Sequence, residues 1–327
     1  MNTEILDILI VGAGPIGIAC GIEAKKANLS HLIVEKGVLA NSVYHFPTHM
    51  TFFSTSELLE IGNIPFLSHY AKPTRQEALE YFRRVIQHFD LNINLQEKVE
   101  EVNKNFGGLF KVTTSKTTYY AHNVVFATGF FDQPRLLNIK GEQLPKVKHY
   151  YDDPHLYINQ KVLIVGAGNS ACGIALELYR KGIDVTMAVR KPHIKPTVKY
   201  WIKPDLENRI KSGEIKAYFG TTVQEIKVDT VLLKTAQGLV EIENDAVLAM
   251  TGYKPNFELL QKAGIWLLSN GHKTPSHNPK TLETNVEGLY VAGVISAGLE
   301  TNRLFIENTR VHASQIVSNI LEKKATI

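Results

Sequence analysis

Ile8-Leu9-Ile10-Val11-Gly12-Ala13-Gly14-Pro15-Ile16-Gly17 is the stretch that decides the fold. An apolar, β-branched run delivers the chain to a glycine-rich turn, and a segment of helical character follows. In that strand–turn–helix setting the G-x-G-x-x-G spacing binds a dinucleotide. Gly12 allows the sharp turn, Gly14 lets the backbone approach a pyrophosphate, and Gly17 keeps the helix close to the sheet. Free N–H groups and the helix dipole at such a turn favour the diphosphate.

The pattern recurs 154 positions later as Val162-Leu163-Ile164-Val165-Gly166-Ala167-Gly168-Asn169-Ser170-Ala171. Two copies in the same context predict two nucleotide sites. They differ in charge at the end of the next strand. Glu35 lies 21 residues after Gly14, at the end of His31-Leu32-Ile33-Val34-Glu35. A carboxylate there accepts ribose hydroxyls and repels a 2′-phosphate, which suits the adenosine of FAD or NAD. Beyond the second fingerprint the strand Asp184–Val189 leads to Arg190, with Lys191, His193 and Lys195 following. A guanidinium holds a 2′-phosphate bidentately, so NADP(H) is expected there. The economical assignment is resident FAD in the first site and exchanging NADPH in the second.

The bulk numbers agree with such a protein. A chain of 327 residues, 44% hydrophobic and 21% charged, implies about two globular domains. The net charge of +4 and the lack of a dense basic block argue against nucleic acid as the main partner. Asp7 and the turn glycines interrupt the first apolar run, so no signal peptide is expected. No apolar stretch reaches the length of a membrane span, and a cytoplasmic protein is expected. The two cysteines, Cys20 and Cys172, each lie just inside a helix that follows a fingerprint, and no CxxC is present. Neither zinc binding nor a vicinal dithiol is expected.

Along the chain, residues 1–36 are predicted to form a βαβ unit and residues 74–90 a helix capped by Thr74. Short strands are predicted near 92–102, 109–114 and 117–121, and a buried strand runs from Val124 into the Ala127-Thr128-Gly129 turn. The second nucleotide domain is predicted to have strands near 161–165, 184–189 and 215–218 and a helix over 170–181. It closes at Val247-Leu248-Ala249-Met250-Thr251-Gly252, an echo of the earlier turn. A last strand over Gly288–Gly293 and a helix over 302–323 complete the chain. The fold class is α/β, with two Rossmann-like domains: FAD-binding residues 1–130 and 252–327, and an inserted NADPH-binding domain of residues 131–251.

Together these features resemble the thioredoxin-reductase-like flavoprotein reductases. The resemblance rests on the first fingerprint with Glu35, the turn at 127–129, the second fingerprint with Arg190, and Glu283-Thr284-Asn285-Val286-Glu287-Gly288-Leu289-Tyr290-Val291-Ala292-Gly293. Within that group the chain is similar to the bacillithiol-disulfide (bacilliredoxin) reductase family. The runs that carry this similarity are 44–54, 61–66, Trp201-Ile202-Lys203-Pro204, 249–253, 292–295 and Phe305-Ile306-Glu307-Asn308. Two positions depart. Members of the family often carry a cysteine where this chain has Ile16, and thioredoxin reductases carry an Asp where it has Val294.

The resemblance implies hydride transfer from NADPH to FAD and onward reduction of a small disulfide or a redox protein such as bacilliredoxin, in a homo-oligomer. A ferredoxin or flavodoxin reductase, a flavin monooxygenase and an NADP(H)-sensing protein are the alternatives. Cofactor contacts are expected from Gly12, Gly14, Pro15, Gly17, Glu35, Lys36, Thr48, Phe52, Thr128, Gly129, Gly166, Gly168, Asn169, Ser170, Ala171, Arg190, Lys191, Gly252, Gly293 and Val294. No metal is expected. No catalytic residue is assigned; the candidates are His49 and His312 as proton donors to a leaving thiolate, and Cys20 as a relay thiol.

Overall fold

The computed structural model describes residues 5–105 and 107–326. The first four residues of the predicted βαβ unit, Phe106 and the terminal Ile327 lie outside the described residues. The chain divides into two compact units: Met1–His45, His49–Gln133 and Tyr253–Ile327 form one, and Phe46–Thr48 with Pro134–Gly252 form the other. The strands β7 (Gln133–Pro134) and β16 (Tyr253–Lys254) mark the two crossings. Phe46–Thr48, expected within the first domain, groups with the second unit, where the Thr48 N–H donates to the Asp152 carbonyl at 2.9 Å.

The sheet of the first unit runs β3 (Ile93–Asn94), β2 (His31–Val34), β1 (Ile5–Val11), β6 (Thr118–Phe126), β5 (Phe110–Thr114), β4 (Val99–Lys104). A seventh strand, β17 (Leu289–Val291), pairs in parallel with the end of β6. The two strands predicted at 117–121 and from Val124 are one, because β6, paired with β1 along one edge, serves two partners along the other. Its first half pairs antiparallel with β5 and its second half parallel with β17. Helix α1 (Pro15–Lys26) is buried nearly all round over Ile16–Ile22. It lies between the sheet and the helices α3 (Arg75–Phe89) and α8 (His312–Thr326). An all-apolar helix is the sequence expected for that sandwiched place. Two short helices, α2 (Asn41–Tyr44) and α6 (Glu258–Lys262), pack on α3 and β4.

The second unit is built on an all-parallel sheet, β11 (Lys216–Phe219), β10 (Asp184–Val189), β9 (Lys161–Val165), β15 (Ala246–Ala249), β8 (Val147–Lys148). Its central strands are apolar without alternation because both faces are covered. Helices α4 (Asn169–Arg180) and α5 (Lys203–Lys211) contribute Ala171, Ile174, Leu178 and Leu206 to one core. The opposite face packs Leu163, Val165 and Val247 against Val223, Val231 and Leu233 of an antiparallel meander. Its strands are β12 (Thr222–Ile226), β13 (Thr230–Thr235) and β14 (Gly238–Glu243), which were not predicted.

The helix predicted over 302–323 is broken. Phe305 is extended (φ −137°, ψ 180°), and Asn308 holds it there, accepting from the Phe305 N–H at 2.7 Å and donating to the Arg303 carbonyl at 3.1 Å. Only the turn α7 (Ile306–Thr309) follows, and α8 begins at His312. Arg310, between them, donates to the carbonyls of Glu57 and Glu60 at 3.1 and 2.8 Å.

Candidate cofactor sites

In the first unit the pairing brings four strand ends to one level. Val11 pairs with both Val34 and Phe126, and Phe126 with Val291. Gly12, Glu35, Ala127-Thr128-Gly129 and Ala292-Gly293 therefore follow the carboxyl ends of the sheet's parallel strands at one level, the usual place for a ligand in such folds. Gly12 has φ +108°, and a Cβ there would meet the Ala127 carbonyl oxygen at 2.7 Å. A Cβ on Gly17 would fall on the Gly12 carbonyl oxygen, so both glycines answer to close packing. Gly14 differs: a Cβ there would meet nothing within 4 Å. The backbone at the head of α1, with Pro15 in its first turn, faces open space of the kind a diphosphate fills.

Glu35 is 6% exposed. Its Oε2 accepts the Ala13 N–H at 2.8 Å and its Oε1 the Gly37 N–H at 2.9 Å. Burial pushes the carboxyl above the ordinary carboxylate range, and these two N–H groups pull against it. One acceptor site on each oxygen is left for ribose hydroxyls. Lys36 is tied to Asp132 at 2.5 Å, a pairing that the sequence reading missed although Asp132 closely follows the 127–129 turn. The Thr128 hydroxyl is buried without a hydrogen-bond partner among the described residues, and Gly129 (φ +68°) faces open space. An open cradle, an anchored carboxylate and an unsatisfied hydroxyl fit a dinucleotide with free ribose hydroxyls, as in FAD.

The late motif is clamped from within. The Gly293 N–H donates to His312 Nδ1 at 3.2 Å, and Ser296 Oγ donates to the Gly293 carbonyl at 2.8 Å. Gly293 has φ +78°, and a Cβ there would press on the Ile16 side chain at 3.2 Å. The residue at the family cysteine position is thus a packing partner of this segment. Because Nδ1 accepts, His312 is a neutral imidazole; burial, aided by His277, pushes it down to about 4. That makes it a poor acid at neutral pH, and its observed work is to fix Gly293. Val294 follows in the short helix Gly293–Ala297. Phe52 is buried, His49 is exposed, and Thr48 groups with the second unit. Cys20 is 2% exposed, and burial pushes its thiol up to about 12, so it supplies no thiolate. Cys172 is held up at about 12 by the same cause.

The second unit repeats the plan with changed electrostatics. Val165 pairs with Ala188 and Ala249, which brings Gly166 level with Val189 and Met250; Arg190 lies one residue beyond, and Thr251-Gly252 follow Met250. A Cβ on Gly166 (φ +132°) would meet the Met250 carbonyl oxygen at 2.5 Å, as Gly12 meets Ala127. Gly168 and Gly252 face open space, as Gly14 and Gly129 do. Ala171 is buried, Ser170 is exposed at the head of α4, and Asn169 Oδ1 accepts the Lys199 N–H at 2.9 Å. Arg190 and Lys191 are exposed. Lys199 was not foreseen; its link to Asn169 spans 30 residues and has no local signature. Among the described residues no three His, Cys, Asp or Glu side chains are placed to hold a metal ion, and no helix is long and apolar enough to cross a membrane.

Comparison with known proteins places these two cradles in a family. The chain is 39% identical over 317 residues to the bacilliredoxin reductase Bdr of Bacillus subtilis (strain 168), covering 97% of this chain and 98% of that one. It superposes on the bacillithiol disulfide reductase Bdr of Staphylococcus aureus with a TM-score of 0.95 at 39% identity, covering 98% and 99% of the two chains. A ferredoxin–NADP reductase 2 of Bacillus cytotoxicus is more distant, 26% identical over 306 residues and covering 89% of this chain and 85% of that one. Residues 9–293 match the model of the pyridine nucleotide-disulphide oxidoreductases, and the chain belongs to that family.

Proposed function

We propose that this chain is an NADPH-dependent FAD flavoprotein that reduces a low-molecular-weight thiol disulfide of the bacillithiol type, or a bacilliredoxin, in the cytoplasm. The observation that carries the reading is the pair of open cradles with opposite charge at the strand end: buried Glu35 in one and exposed Arg190 in the other. The full-length similarity to Bdr supports the choice of acceptor. Bound FAD would supply two-electron chemistry between a reduced nicotinamide and a disulfide. Gly14 and the first turn of α1 would hold its diphosphate, Glu35 its adenosine ribose, and the clamped Gly293 segment would border it. Arg190 and Lys191 would hold the 2′-phosphate of NADPH over the turn at Gly168. The net reaction takes the hydride of NADPH and one proton, breaks one S–S bond and releases two thiols. Cys20 and Cys172 are buried and free, so the reading requires that electrons leave without a protein dithiol.

The test is anaerobic reduction of the purified protein by NADPH and by NADH. Reoxidation follows with bacillithiol disulfide, other small disulfides, a bacilliredoxin, ferredoxin, flavodoxin and oxygen. Fast NADPH-selective reduction with disulfide-selective reoxidation is expected. Reoxidation by ferredoxin or flavodoxin alone overturns the acceptor, and slow reduction at saturating NADPH overturns the reductase.

A further inference from the structure

Between β10 and α5 the chain runs Arg190-Lys191-Pro192-His193-Ile194-Lys195-Pro196-Thr197-Val198-Lys199-Tyr200-Trp201. Phosphate recognition accounts for the start of this segment only. Ile194 and Val198 are sunk in the core beside α4, at 1% and 5% exposure, so the loop is anchored. Arg190, Lys191, His193 and Lys195 stand outside. At the far end Tyr200 and Trp201 meet edge to face at 4.8 Å between ring centres, yet they remain 81% and 40% exposed. The Lys199 ammonium sits 5.7 Å from the centre of the Trp201 ring. The loop's return is fastened to the fingerprint itself, because the Lys199 N–H donates to Asn169 Oδ1 at 2.9 Å and Asn169 is the first residue of α4.

An exposed aromatic pair is therefore held one and two residues from a backbone atom bonded to the dinucleotide turn. A row of cations leads to it from the end of β10. Leaving ring area in water on an anchored loop forgoes the gain of burial. A purine stacked on the ring recovers it, and base–aromatic stacking tolerates a simple, one-sided platform. Guanidinium and ammonium groups close by suit a phosphate on the same nucleoside.

We propose that residues 190–201 form a clasp for the adenosine 2′-phosphate half of the nicotinamide cofactor. Arg190, with Lys191 and Lys195, holds the phosphate, and Trp201, with Tyr200 beside it, stacks on the adenine. Asn169 is a positioning residue that fastens the aromatic end of the clasp to the turn. The clasp deepens the NADPH reading above and rests on it.

Trp201 becomes the sole tryptophan in a Trp266→Phe background, since the chain has two. The flavin-loaded Trp266→Phe protein is titrated with adenosine 2′,5′-bisphosphate, which carries adenine and 2′-phosphate but no nicotinamide, and with NADP+ and NAD+. Saturable quenching of the Trp201 emission is expected. Trp201→Ala should weaken all three ligands by about tenfold and leave the NADP+/NAD+ ratio intact, and Trp201→Phe should restore affinity. Arg190→Ala should instead collapse that ratio. No quenching, with unchanged affinity in Trp201→Ala, overturns the clasp while NADP+ binding still stands. If the parent protein binds neither the bisphosphate nor NADP+, the dinucleotide reading falls and takes the clasp with it.

Discussion

One methyl group separates the third positions of the two fingerprints, and the packing accounts for it. A Cβ on Gly17 would fall on the Gly12 carbonyl oxygen, whereas Ala171 carries its Cβ fully buried beside Gly166. Helix α1 must lie closer to its turn than α4 does to its own. Gly17→Ala should cost roughly 1–3 kcal/mol through forced backbone shifts and yield protein depleted in flavin, read from the ratio of visible to ultraviolet absorbance. Ala171→Gly should cost only about 1 kcal/mol, the helix-propensity difference, and leave dinucleotide binding intact. Equal flavin loss in both would show that close approach is not what Gly17 provides. The cysteines yield a second prediction. With both thiols pushed up to about 12 by burial, iodoacetamide should label neither in the native protein at mildly alkaline pH and both in guanidinium. Cys20→Ala should keep NADPH-driven disulfide turnover. Labelling of native Cys20 that stops turnover would restore it as a relay. The places of Glu35 and Arg190 just after β2 and β10 were legible because strand length fixes their distance from the glycines. The Gly293–His312 bond was not, since it joins residues whose relation depends on the break before α8.

Helix α3 shows what a single capping box contributes at the scale of an element. Thr74 Oγ1 accepts the Glu77 N–H at 3.2 Å, and Glu77 Oε2 accepts the Thr74 N–H at 2.7 Å. Glu77 also accepts the His69 N–H at 2.8 Å, which ties the preceding loop to the helix start. Thr74→Ala should cost about 1 kcal/mol in urea unfolding. These N–H donors hold the Glu77 carboxyl at about 2, below its ordinary 4.5. A depressed carboxyl stabilises the fold above its unfolded value, and that contribution disappears as the pH falls from 4.5 towards 2. Glu77→Gln should therefore flatten the acid side of the stability curve over that window, and an unchanged slope would remove Glu77 from the acid response. Thr74 was readable as a cap because a polar residue preceded a clear helical period. The fingerprint strands were readable as unbroken apolar runs. The β12–β14 meander escaped because its apolar runs are short: Val231-Leu232-Leu233 is closed in by Thr230 and Lys234, and Val240 and Ile242 alternate with Glu241 and Glu243. The break before α8 escaped because Asn308 acts through side-chain bonds to the backbone of Phe305 and Arg303, and Arg310 through carbonyls on a distant part of the chain.

An inserted domain needs its two ends side by side and a core of its own, and the second unit has both. The Arg135 N–H donates to the Gly252 carbonyl at 2.9 Å, and Thr251 Oγ1 donates to the Arg135 carbonyl at 2.5 Å. Its cores on the two faces of the parallel sheet draw on residues from Leu137 to Met250. Adjacent ends allow insertion without strain on the host, and a separate core allows folding alone. Pro134–Gly252, expressed by itself, should therefore unfold cooperatively in urea and bind adenosine 2′,5′-bisphosphate. The remainder, with Gln133 joined to Tyr253 through a short glycine linker, should retain FAD, because Glu35, Thr128 and Gly293 all lie within it. The one piece the excised unit lacks is Phe46–Thr48, whose Thr48 N–H reaches the Asp152 carbonyl. If the excised unit proves molten and a peptide of residues 46–48 flanked by its neighbours restores cooperative unfolding, that strip is an integral edge of the second unit. If it stays molten, the two units fold only together, and the two nucleotide sites of this chain are not separable modules.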